Sequence, residues 1–212
     1  MKKIQKQKNS GREKSRFDLR RRDFFKLLGG GIFFYFSTRN PKELLALPLA
    51  PERELTKDYN AFIRIAPDGI VTCYTGKIEM GQGPITSLRQ QMADELDVSY
   101  ESMKIVMGDT ELCPWDAGTW GSVTTRRFSH PFRAAGAEAR GVLLQLGSEY
   151  LDIPVKDLEV KNGIIYGRSN PKKQVSYGEL AKGQRIERYL DEKPPVKDHT
   201  QFHHVGQSIT VG

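Results

Sequence analysis

With 212 residues, 38% of them hydrophobic and 28% charged, the chain has room for one sizeable folded domain and an ordinary globular composition. Its net charge is +7, yet residues 1–26 hold eleven Lys/Arg against three acids, a local net of +8 that leaves the remainder at −1. A domain that is neutral once its basic start is set aside has no electrostatic footprint for phosphate backbones, which excludes nucleic acid as a leading partner.

The basic start is ordered. Residues 20–26 read Arg-Arg-Arg-Asp-Phe-Phe-Lys: paired arginines, a spacer, two large apolar residues and a lysine, the pattern of a twin-arginine export signal. The apolar run Leu27 to Phe36 follows, interrupted by Gly29, Gly30 and Gly31. A membrane-spanning helix needs about 20 apolar residues, so this run suits the core of a signal (residues 1–36) better than a span. The best cleavage stretch, Leu45 to Ala50, is a poor one, and an uncleaved membrane anchor stays open. The expected location is periplasmic or otherwise exported. Because this route carries folded cargo, it points toward a protein that takes up a complex cofactor before export. Residues 37–58, with Pro41, Pro48 and Pro51 and no sustained period, read as a linker.

From Asn60 the chain alternates, with Phe62 and Ile65, then Val71 and Cys73, flanking Pro67-Asp68-Gly69: a β-hairpin signal. Ile85, Leu88, Met92 and Leu96 recur at helical spacing and predict a helix over 86–98. Residues 102–107 predict a short strand, and 108–125, rich in Gly, Thr, Ser and Trp, a long loop. A second helix is expected over 131–151, with small residues at 134–139 that suit close packing against another backbone. Asn162-Gly163 between Leu158-Val160 and Ile164-Tyr166 is a two-residue hairpin signal of type I′. Tyr177 to Lys182 predicts a short helix, and the pattern fades from Gly183. The class is α+β: hairpins and short strands packed with two main helices. The expected organisation is signal 1–36, linker 37–58, domain 59–182 and tail 183–212. Cys73 and Cys113 belong to no CxxC pair, so a zinc ribbon or Cys-ligated iron–sulfur cluster is not encoded. One disulfide and two small buried residues both remain open for them.

Two loops could carry chemistry. Gly76 to Gly83 runs from a strand into a helix, where glycines let backbone N–H groups approach a ligand and the helix start favours negative charge. Gly118 to Arg127 also feeds a helix and adds hydroxyls and two arginines, which suit phosphate oxygens. The first is not a Walker A loop or a dinucleotide fingerprint, and a tight turn needing positive φ would explain it without a ligand, as a solvated loop with an N-cap threonine would explain the second.

Together these stretches resemble a known family. Glu79-Met80-Gly81-Gln82-Gly83 with Thr86, then Ala93-Asp94-Glu95-Leu96-Asp97, Gly121-Ser122-Val123-Thr124-Thr125-Arg126 and Arg133-Ala134-Ala135-Gly136-Ala137 are similar to the molybdopterin-binding large subunit of the xanthine dehydrogenase/aldehyde oxidase family. The start at 60–69 and Tyr177-Gly178-Glu179-Leu180 fit the branch of the isoquinoline 1-oxidoreductase beta-subunit type. The resemblance covers about residues 58–210 and implies part of a molybdenum-cofactor-binding domain. It implies that Gly81, Gln82 and Gly83 contact the dithiolene and pyrophosphate region of molybdopterin, and that Gly121, Ser122, Val123, Thr124 and Thr125 contact its phosphate side. The cytosine dinucleotide form of the cofactor is one option. The implied reaction is hydroxylation of an aldehyde or N-heterocycle with water as oxygen source. Implied partners are the rest of the large subunit or a companion chain, an iron–sulfur small subunit and, as an option, a cytochrome c acceptor. The family's catalytic glutamate and a second glycine-rich loop would lie beyond residue 212, so the 212 residues are expected to be inactive alone, with no catalytic residue of their own. Glu79 reads as a loop-fixing residue rather than a base. His130, His199, His203 and His204 have no metal-ligand spacing, and the last two read as exposed tail. A non-catalytic exported binding module that keeps the loops is the alternative; an unrelated exported domain is a third reading.

Overall fold

The computed structural model describes residues 31–37, 60–116, 118–182 and 194–209. The leader up to residue 30 and most of the expected linker lie outside the described residues.

A four-stranded sheet in the order β1-β2-β3-β4 comprises β1 (Ile32–Ser37), β2 (Asn60–Ile65), β3 (Val71–Thr75) and β4 (Met103–Met107). The β2–β3 hairpin forms as its alternation predicts. Ala61, Ile63 and Ile65 are fully buried, and Gly69 takes a φ of 84° in the turn while Asp68 Oδ1 accepts from the Ile70 N–H. The crossover from β3 to the parallel strand β4 contains α1 (Pro84–Leu96), which buries Leu88, Met92 and Leu96. Strand β1 pairs antiparallel with β2, a pairing that no local signal announced.

The spine is α2 (Ser129–Leu151), preceded by a π-helical turn, Thr124–Phe128. Its small-residue half does what small residues allow. A Cβ on Gly136 would lie 2.7 Å from Met92 Sδ and 3.0 Å from Glu95 Cβ, so α1 and α2 pack closely here and any larger residue would have to displace the Met92 side chain. Its other end packs on a three-stranded antiparallel sheet of β5 (Leu158–Lys161), β6 (Ile164–Gly167) and β7 (Asn170–Ser176). The Asn162-Gly163 turn has φ of 51° and 73°, as a type I′ turn requires. Short helix α3 (Tyr177–Leu180) is closed by a Ser176–Glu179 capping box, and the Tyr177 hydroxyl donates to the Leu96 carbonyl at 2.9 Å. One continuous apolar core joins both sheets and both long helices. The α+β expectation stands. Cys73 and Cys113 are both free thiols, and burial pushes the Cys73 thiol well up, so it behaves as a small apolar residue.

Residues 194–209 differ from a loose tail. Asp94, almost fully buried on α1, accepts N–H groups from His203 (2.8 Å), His204 (3.0 Å) and Val205 (2.9 Å). Gln90 Nε2 donates to the His204 and Gln207 carbonyls, and Arg133 pairs with Glu95 while covering the Phe202 ring. Lys197 joins Asp97, which also pairs with Arg140. His203 itself is exposed, but His204 is half-buried, its ring nitrogen 3.1 Å from the Val98 carbonyl.

Candidate functional site

The two candidate loops meet. Strand β3 ends at Thr75, and Gly76 passes so close to the second loop that a Cβ there would lie 2.6 Å from Asp116 Cβ and 2.7 Å from the Pro114 carbonyl oxygen. Lys77 follows, fully buried. Its Nζ donates to Asp116 Oδ1 at 2.6 Å and to the Gly118 carbonyl at 2.8 Å, and lies 5.2 Å from the centre of the Phe128 ring. Asp116 Oδ1 also accepts the Gly118 N–H at 2.8 Å. The Ile78 N–H donates to Thr119 Oγ1 at 2.8 Å. Lys77 is therefore a buried bolt between loops 39 residues apart in sequence. Burial pushes the Lys77 ammonium down and the Asp116 carboxyl up; their pairing opposes both shifts.

The first loop is closed on itself. Glu79 Oε1 accepts the N–H groups of Gly81 (2.8 Å) and Gly83 (3.0 Å), and Oε2 accepts that of Ile85 (3.2 Å). Gln82 folds back as well, accepting from the Met80 N–H at 2.6 Å and donating to the Ile78 carbonyl at 3.0 Å. The positive end of α1 that the sequence reading offers to an anionic ligand thus already holds a carboxylate. Partial desolvation pushes the Glu79 carboxyl up, but the N–H donors of Gly83, Ile85, Gly81 and Gln82 outweigh it and hold the group below the usual carboxylate range. A depressed folded value gives stability that is present above the unfolded carboxylate range and lost as pH falls through the folded value. Acidification is accordingly expected to loosen residues 79–85 before the core, and Glu79→Gln to remove that pH dependence. Amide exchange across 79–85 at several pH values checks this; an identical profile in the variant would contradict it.

The second loop is more open. Gly118, Gly121 and Ser122 have φ of 104°, 54° and 57°. Gly121, Ser122 and Thr125 are exposed, whereas Val123 and Thr124 are buried. No side chain caps the following π-helical turn, so an N-cap threonine does not account for this motif. Two buried polar atoms lack a partner here: Asp116 Oδ2 and Thr124 Oγ1. Backbone faces stand clear, since a Cβ on Gly81, Gly83 or Gly121 would meet nothing within 4 Å. Ile78, Met80, Trp115 and Trp120 are large apolar side chains left exposed on the same two loops. Accessible glycine backbone, hydroxyls, an unpaired buried Thr124 oxygen and nearby Arg126 and Arg127 fit a large polar, anionic cofactor. Among the described residues no group of three or more His, Cys, Asp or Glu could hold a metal ion.

A family model described as a molybdopterin cofactor-binding domain matches residues 4–210. The chain belongs to this family. It is 32% identical over 161 residues to a subunit of nicotinate dehydrogenase from Pseudomonas putida, a match covering 76% of this chain and 13% of that protein. It is 30% identical over 134 residues to the beta subunit of isoquinoline 1-oxidoreductase from Brevundimonas diminuta, covering 60% and 17%. Among solved structures, reconstituted CO dehydrogenase from Oligotropha carboxidovorans superposes with a TM-score of 0.51 at 28% identity, covering 70% of this chain and 18% of that one. The chain thus spans less than a fifth of the length of each of these relatives. These relatives are oxidoreductases, and the fold is that of their molybdenum-cofactor-binding region.

Sequence reasoning had the two loops but not what joins them. Lys77 carried no signal beyond its place beside Gly76, and Asp116 none at all. Glu79 performs the loop-fixing task expected of it.

Proposed function

We propose that this chain supplies one wall of a molybdopterin site in a molybdenum hydroxylase that oxidises aldehydes or N-heterocycles. Membership of the cofactor-binding family supports the cofactor class, and the observation that carries the reading is the bolting of the two glycine loops into one surface by Lys77 and Asp116. Gly81, Gln82 and Gly83 form the neutral side of this surface, because the Gly81 and Gly83 N–H groups already serve Glu79. Gln82 would have to leave Met80 and Ile78 to present its amide. The anionic end of the cofactor falls to Gly121, Ser122, Val123, Thr124 and Thr125, with Arg126 and Arg127 alongside. The Thr124 hydroxyl can donate there without losing another bond. In this reading the bound cofactor, in its cytosine dinucleotide form as one case, supplies hydroxylation with water as the oxygen source.

The same surface presents exposed Ile78, Met80, Trp115 and Trp120, apolar area suited to burial against a companion polypeptide carrying the rest of the large subunit. Electrons would leave through an iron–sulfur subunit and onward to an acceptor such as a cytochrome c. The twin-arginine leader would export the loaded protein.

The purified chain alone is expected to show no oxidation of aldehydes or N-heterocycles with an artificial electron acceptor, and the chain assembled with its companions to show turnover. Turnover by the isolated chain would overturn the reading. An assembled complex that binds cofactor without turnover would favour the non-catalytic binding module instead.

A further inference from the structure

The residues that read as the apolar core of an export leader are not idle in the folded chain. Ile32–Ser37 pairs with Asn60–Ile65 along its whole length, from Ile32 opposite Ile65 to Ser37 opposite Asn60. Gly31 introduces the strand with a φ of 141°, and a Cβ there would lie 2.4 Å from the Ile65 carbonyl oxygen. Ile32 is fully buried, Phe34 packs on the core, and the Arg64 guanidinium lies over the Phe33 ring at 6.0 Å. The strand also touches α2.

Two demands therefore fall on one segment. The Arg21-Arg22-Asp23-Phe24-Phe25-Lys26 motif ends only six positions before Ile32. A leader's apolar core must be free to enter a membrane-embedded receptor, whereas β1 must be seated on β2. As the outermost strand, β1 can leave without breaking the β2–β3 or β3–β4 pairings.

We propose that Ile32–Ser37 is a two-position segment: it is either the outer strand of the folded domain or, through Ile32–Phe36, the second half of the export leader's apolar core, never both at once. The proposal rests on the twin-arginine reading of residues 20–26. Engagement of the leader then requires β1 to undock, and the β2 edge is bare while it does so.

A reversible lock tests this in the full chain. Phe33 and Arg64 are cross-strand partners whose side chains already meet, so Phe33→Cys/Arg64→Cys, on a Cys113→Ser background, places two thiols for a disulfide. Transport into inverted bacterial membrane vesicles bearing the twin-arginine translocase is then compared before and after reduction. The expected result is loss of transport in the oxidised protein and its recovery on reduction. Equal transport in both states overturns the two-position proposal and leaves the leader reading intact. Failure of the unsubstituted chain, presented in its cofactor-loaded assembly, to be transported overturns the leader reading, and the proposal with it. Amide exchange of residues 32–37 in the unsubstituted chain needs no substitution: protection free in solution and loss of protection on translocase-bearing vesicles are expected, and protection retained on the vesicles would overturn the proposal.

Discussion

Lys77→Met is expected to lower folding stability by about 3–5 kcal/mol, the usual cost of removing one partner from a buried ion pair. Both side chains are wholly inaccessible. Methionine keeps much of the stem's volume but loses the cation over the Phe128 ring and leaves the Asp116 carboxylate buried, with the Gly118 N–H still donating to it. The double variant Lys77→Met/Asp116→Leu is expected to regain most of the loss, because two apolar side chains of similar volume need no countercharge. It would not regain the coupling of the loops, since the Lys77 bond to the Gly118 carbonyl is gone in both. Denaturant unfolding gives the stabilities. Acrylamide quenching of Trp115 and Trp120, the only two tryptophans in the sequence, reports on the second loop. A stable single variant would mean that water reaches the pair; a stable double variant with unchanged quenching would mean that the pair does not hold the loop.

The second large effect is expected at Asp94. Its carboxylate receives three consecutive backbone N–H groups from His203, His204 and Val205. A hydrogen bond to a charged acceptor contributes about 1.5–3 kcal/mol, and the three share one group, so Asp94→Ala should cost about 3 kcal/mol rather than their sum. The cost should be local. Residues 194–209 are expected to leave α1, with amide exchange at 203–205 faster by about two powers of ten, while the core formed by α1, α2 and the first sheet persists. Unchanged exchange at these amides would show that Gln90, Arg133 and Lys197 hold the segment without Asp94.

These two residues show where sequence reasoning stops. The β2–β3 hairpin, both long helices and the Asn162-Gly163 turn were legible because their signals are local: alternation, a 3.6-residue period, and residues that accept positive φ. Close packing at Gly136 could be read from a run of small residues. Strand β7 could not, because Asn170-Pro171-Lys172-Lys173 is polar and exposed, and only pairing with β6 makes it a strand. Strand β1 was hidden differently: its apolar run carries the same pattern whether it is a leader core or an edge strand, and the basic residues before it favoured the leader. The Lys77–Asp116 pair joins positions 39 apart, and the contacts of Asp94 span more than 100. No window of sequence contains either. The candidate loops themselves were found as motifs, but their adjacency is a property of the fold.

That adjacency matters because a large cofactor must touch several backbone segments at once. Gly76 permits the approach, Lys77 and Asp116 fix it, and Glu79 shapes the first loop from within. The apolar residues exposed on both loops then leave a surface suited to a companion.

As one wall of a molybdenum-cofactor site, the role proposed above, this surface should hold cofactor only when the site is complete. The most direct measurement is the molybdenum and pterin content of the full chain, purified from a cofactor-producing bacterium alone and together with its companion polypeptides. Both molybdenum and pterin, in equal amounts, are expected in the assembled complex. An assembled complex containing neither would contradict that role.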